Sequence, residues 1–175
     1  MRCAGAGVHR VLVSYELRAL VGRHPVVVSM SGRAAVSAVE LPQGYGLLPI
    51  TDDVYERLGG GDGKPFGDAV WFLSPAIEAL GRRASHIGSV AYLEAEMFGG
   101  TGTQATVAWR SGKVCLGPVT TTFGWPPPEL STNSQWAFNH ALRELGVARG
   151  DAIDEFDALG LGGNHRHTED WLDAP

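Results

Sequence analysis

VAYLEAEMFGGTGTQATVAWRSGKVCL, residues 90–116, is the stretch whose reading decides the fold. Apolar and polar residues alternate along it with the period of a strand, and glycine-containing pairs break the alternation twice. On the first strand Ala91, Leu93, Ala95 and Met97 share one face, and Tyr92, Glu94, Glu96 and Phe98 share the other. On the second, Ala105, Val107 and Trp109 alternate with Gln104, Thr106, Ala108 and Arg110. Ser111-Gly112 is a two-residue hairpin turn that pairs Arg110 with Lys113, Trp109 with Val114 and Val107 with Leu116. A three-residue loop at Gly100-Thr101-Gly102 pairs Met97 with Ala105, Ala95 with Val107 and Leu93 with Trp109. Both turns gather apolar residues on one face. The other face carries Glu94 and Glu96, with Arg110 diagonal to Glu94 as an ion-pair partner.

Helical signals flank this unit. Thr51 caps a segment at 52–58 with Asp52 and Asp53 in its first turn, where the positive end of the helix dipole favours anions. Ser74-Pro75 opens a helix over 74–86, with Ile77, Leu80 and Ala84 on one stripe and Gly81 weakening its middle. Phe138, Ala141, Leu142 and Leu145 mark a helix at 134–145, stopped by Gly146. The expected class is α+β: a three-stranded antiparallel meander at about 90–116, packed by helices near 52–58, 74–86 and 134–145. Asp151 is expected to cap a last short helix carrying Ile153, Phe156 and Leu159, and a polar tail follows.

The first 29 residues differ from the rest. They hold four Arg and one Glu, a net of +3, which leaves −8 for the remainder of a chain at −5. Met30, followed by Ser-Gly-Arg, reads as an alternative start, with 30–175 as the single domain and 1–29 as an extension. The competing reading makes 9–17 an edge strand.

Composition narrows the function classes. At 175 residues the chain is long enough for one domain with its own core. No apolar run approaches the length of a membrane span. Cys3 and Cys115 lie far apart and read as free thiols of a reducing, cytoplasmic compartment. The net charge of −5 argues against nucleic acid, which needs a basic face. Residues 114–175 hold three Arg against nine Asp and Glu, a net of −6, and such acidity suits a basic protein partner.

Intact catalytic motifs are missing. Gly99-Gly100-Thr101-Gly102 is followed by a strand pattern rather than the helix a phosphate loop requires. Gly63-Lys64 has Pro65 where a nucleotide loop needs Ser or Thr. There is no Gly-x-Ser-x-Gly nucleophile turn.

Three groups are candidate sites. Glu94 and Glu96 are same-face carboxylates about 7 Å apart by strand rise, suited to acid–base work, to a metal or to a cationic partner. Asp154, Glu155 and Asp157 form an acidic segment that, with Trp125 beside three prolines, extends a partner-binding surface. His165 and His167, with Asp170 behind them, can hold a divalent metal if the chain is extended there. That last pattern is partly similar to the His-x-His-x-Asp-His motif of metallo-β-lactamase-like hydrolases, but Asp170 comes one residue late and the final His is absent.

The segments 91–104 and 154–162, with 165–171, resemble stretches of small uncharacterised bacterial proteins, over roughly residues 41–172. Small acidic proteins of this type loosely resemble the immunity proteins of toxin systems. The resemblance implies no activity and no site residue. The expected function is a non-enzymatic acidic binding protein, with an immunity-type inhibitor of a basic partner as its narrower form. The alternatives are a metal-dependent hydrolase built on the His-x-His segment, and a structural or assembly protein.

Overall fold

A computed structural model of the chain describes residues 14–61, 63–124 and 135–173. Strand β1 (Tyr15–Arg23) runs into helix α1 (His24–Ala34), with Pro25 in the first turn, where its missing N–H costs nothing. Short β2 (Val39–Leu41) and β3 (Tyr45–Pro49) follow. Next come α2 (Asp52–Arg57) and α3 (Pro75–Ala84). Three long strands, β4 (Val90–Phe98), β5 (Thr101–Arg110) and β6 (Lys113–Phe123), lead to α4 (Ala137–Glu144), α5 (Glu155–Ala158) and a 3-10 helix at Thr168–Asp173. The strands form one six-stranded sheet in the order β2-β3-β1-β4-β5-β6, with antiparallel pairing throughout. The α+β class holds, and the sheet is twice the width of the expected meander.

One of the three extra strands, β1, comes from the segment read as an extension; β2 and β3 follow it. β1 lies between β3 and β4, and Leu17, Ala19, Leu20 and Val21 are fully buried. A boundary at residues 29/30 falls inside α1, so the fold does not divide there. The edge-strand reading is corrected as well, since the described part of that segment is central; residues 9–13 lie outside the described residues.

Both faces of the sheet are covered. On one, α1 and α3 pack Val27, Met30, Ile77 and Leu80 against Leu20, Leu48, Tyr92, Val107 and Trp109. On the other, Phe138, Leu142, Leu159, Leu161 and Trp171 pack against Leu17, Val21, Leu47, Leu93 and Ala108. Each of these large side chains contributes about 1.5–3 kcal/mol by leaving water.

Double coverage overturns the expected single apolar face, and the first hairpin explains how. Its turn is Gly99-Gly100, with φ of 58° and 86°. Two consecutive residues at positive φ suit a two-residue turn whose twist matches the strands. Ala95 therefore faces Gln104 in place of Val107, a slip of three residues, and an odd slip exchanges the faces. Tyr92 now lies opposite Val107, and Leu93 opposite Thr106. The second turn pairs Arg110 with Lys113 and Trp109 with Val114 as expected, but an irregularity then sets Leu116 against Ala108. Arg110 turns away from Glu94: its Nη2 lies 2.9 Å from Glu144 Oε1, and its Nε donates to Ser89.

Gly81 has a packing role in α3. A Cβ there would lie 2.8 Å from Cζ3 of buried Trp109, so the glycine admits the indole.

Candidate functional site

Alternation along β1 puts Glu16 and Arg18 on the face of Leu20, and alternation along β4 puts Glu94 and Glu96 on the face of Tyr92. Pairing aligns them. Glu16 faces Glu96, which faces Thr103; Arg18 faces Glu94, which faces Ala105. Two neighbouring rows of the sheet thus become polar on the face that α1 and α3 cover elsewhere. Two glutamates directly opposite each other on adjacent strands repel, and folding alone gives no reason for that pairing.

Arg18 balances part of this charge. Its Nη2 lies 3.0 Å from Glu16 Oε1 and 2.8 Å from Asp52 Oδ1, in the first turn of α2. The Phe72 ring covers the guanidinium, with Cζ 4.7 Å from the ring centroid. Burial disfavours the charged guanidinium, but the hydrogen bond to Asp52 and the nearby carboxylates outweigh it and raise its pKa. Arg18 is 5 % exposed, and its Nε and Nη1 are buried with no hydrogen-bond partner among the described residues.

Glu94 has a different environment. Its Oε1 accepts the backbone N–H of Trp71 at 2.9 Å, and its Oε2 accepts that of Phe72 at 2.8 Å and the Tyr92 hydroxyl at 3.2 Å. It is a buried anchor for the loop between α2 and α3 rather than a solvated charge. Buried Val70 and Leu73 hold the loop on either side, while Trp71 stays 59 % exposed. The Lys64 ammonium sits 4.0 Å from the centre of the Trp71 ring and 2.9 Å from Asp68 Oδ1. Burial drives the Tyr92 phenol well above its usual pKa, with the Glu94 carboxylate adding to the shift.

Between these groups lies an open cleft of about 580 Å³, lined among others by Glu16, Asp52, Trp71, Glu96 and Thr103. Glu16, Asp52, Glu94 and Glu96 set four negative charges against the one positive charge of Arg18, a formal −3. The Glu96 side chain is exposed and makes no hydrogen bond or ion pair among the described residues. The cleft therefore combines unneutralised carboxylates with an exposed indole, a pairing that attracts cations.

The remaining candidates do not join it. Asp154 caps α5: its Oδ1 accepts the N–H of Asp157 at 2.8 Å, and its Oδ2 accepts from Asn139 Nδ2 at 3.1 Å. The cap is Asp154 and not Asp151, because its carboxylate reaches both the helix end and α4. Asp157 Oδ2 takes the N–H of Ile153 at 3.1 Å, and Glu155 is buried, 4.0 Å from Arg143. This segment packs on the other side of the sheet, so it does not share a surface with Glu94 and Glu96. Trp125 lies outside the described residues.

The tail is anchored. Arg166 C=O accepts the N–H of Glu16 at 2.8 Å, and buried Thr168 Oγ1 accepts that of Arg18 at 3.0 Å. These bonds cover the stretch of β1 that β3 leaves unpaired. His165 stacks on Trp171 at 4.0 Å. Asp170 Oδ2 accepts the N–H groups of Arg166 and His167 at 2.7 and 2.9 Å, which lowers its pKa. His165, His167 and Asp170 are not gathered into a ligand set: among the described residues no group of three or more His, Cys, Asp and Glu is placed to hold a metal. Cys115 is exposed, and burial of its sulfur environment with nearby Glu144 raises its pKa, the opposite of an activated thiol.

Sequence reasoning found Glu94 and Glu96 but missed Glu16, Arg18, Asp52, Trp71 and Phe72. The available signal was the Glu16-x-Arg18 spacing, which puts both on one face once 15–23 is read as a strand. Among the described residues no helix is long and apolar enough to cross a membrane. No family model, curated protein or solved structure matches the chain.

Proposed function

We propose that the chain is a non-enzymatic binding protein whose acidic cleft receives a cationic side chain of a basic protein partner. The observation that carries this reading is the Glu16–Glu96 row beside exposed Trp71, with the Glu96 carboxylate unpaired among the described residues. Arg18 is held by Glu16 Oε1 and Asp52 under Phe72, and Glu94 is consumed by three donors, so Glu96, the second oxygen of Glu16 and Trp71 are the groups left to meet a ligand. The chain's net charge of −5 would speed encounter with a basic protein at low salt. An immunity-type inhibitor of a basic toxin is the narrowest form of the reading.

The test is a titration with a hexa-arginine peptide, followed by amide and indole NMR shifts. The expected footprint falls on Glu16, Glu96, Trp71 and Thr103 and weakens at high salt. Shifts confined to residues 151–173 would overturn the reading.

A further inference from the structure

We infer that Lys64 is a tethered stand-in for the partner's cation, occupying the Trp71 ring until an ammonium or guanidinium from outside displaces it. The inference rests on the proposed cation-binding role of the cleft and names how that binding is regulated.

The two aromatic residues of the loop each carry an internal cation, under opposite conditions. Arg18 beneath Phe72 is buried and bound by Glu16 and Asp52, so it stays. Among the described residues, Lys64 over Trp71 is held only by Asp68, and the side chains of that pair are 40 % and 81 % exposed. Exposed pairs of this kind are weak and easily exchanged. The arm that presents Lys64 is glycine-rich, with Gly61, Gly63 and Gly67 all at positive φ. The platform is fixed, because Glu94 holds the backbone N–H of Trp71. A fixed ring and a loosely held cation make a displaceable contact.

Removing the Lys64 charge favours an incoming cation in three ways. The ring's negative face is freed, repulsion between two cations on one indole disappears, and the Asp68 carboxylate is released.

The experiment titrates n-butylguanidinium and n-butylammonium chloride into the full chain. The readout is the indole N–H shift of Trp71, assigned by its loss in Trp71→Phe. Lys64→Met is expected to bind both probes about fivefold more tightly than the native chain, and Lys64→Arg to bind as the native chain does. If the native chain binds and Lys64→Met binds equally or more weakly, the stand-in role is overturned and the cleft reading survives. If Lys64→Arg tightens as much as Lys64→Met, loop structure and not charge is responsible, and the inference fails. If neither the native chain nor Lys64→Met shows a saturable shift, both the inference and the cleft reading fail.

Discussion

Glu94 Oε2 accepts the backbone N–H of Phe72 at 2.8 Å, tying the centre of the sheet to the loop that walls the cleft. The same carboxylate holds the N–H of Trp71 and the Tyr92 hydroxyl. Glu94→Ala orphans these three donors. It is expected to cost about 3 kcal/mol, since hydrogen bonds to a buried charged group are worth about 1.5–3 kcal/mol each and water recovers part of the loss. Urea unfolding measures it. A cost below about 1 kcal/mol would mean that Glu94 is not the loop's anchor.

Arg18 is expected to behave differently. Two of its nitrogens are buried without partners among the described residues, and its carboxylate partners Glu16 and Asp52 are 37 % and 80 % exposed, so both can return to water. Removing one member of a buried ion pair is costly when the other is left buried and charged, and that cost is small when the partners left behind are exposed. Arg18→Met should change stability by less than about 1 kcal/mol while deepening the negative potential of the cleft. Unfolding curves set beside those of Glu94→Ala give the contrast.

Alkaline pH should destabilise the protein. Burial raises the phenol pKa of Tyr92, Tyr15 and Tyr45 in the folded chain. In the unfolded chain these phenols ionise near pH 10. Above that pH the unfolded state loses protons that the folded state keeps, and stability falls until the folded phenols also titrate. Urea midpoints from about pH 8 to 11 should be flat at first and then drop. Tyr92→Phe should shallow the drop, and an unchanged slope would remove Tyr92 from the explanation.

Gly81→Ala should destabilise, although alanine is the better helix former by about 1 kcal/mol. The new methyl group meets Trp109 Cζ3 at 2.8 Å, and overpacking of that kind costs about 1–3 kcal/mol. Thermal unfolding decides the sign.

A chain begun at Met30 lacks β1, and with it the strand between β3 and β4. It is expected to show no cooperative unfolding transition. A native-like far-ultraviolet spectrum with a sharp melt would contradict the central placement of β1.

Local signals were legible where one residue type dictates the outcome. Thr51 and Ser74 cap their helices as the sequence indicates, with side chains accepting from Val54 and Ile77. Ser111-Gly112 sets its turn by backbone preference alone. The register of β4 on β5 was not legible from hydrophobic matching, because both faces of β4 are buried and either alternation finds apolar partners. β1 was obscured by Glu16 and Arg18, charges that interrupt an otherwise apolar strand. Those same charges line the cleft, so the residues that hid the strand mark the site. Asp52 and Trp71 join the cleft only through tertiary packing, which no local pattern encodes.

The central claim is that the cleft, and not diffuse acidity, binds cations. Its most direct test compares two double variants that remove the same charge: Glu16→Gln with Glu96→Gln in the cleft, and Asp151→Asn with Glu169→Gln outside it. Affinity for the hexa-arginine peptide should fall by at least about tenfold in the first and by less than about twofold in the second. Equal losses in the two would contradict the claim.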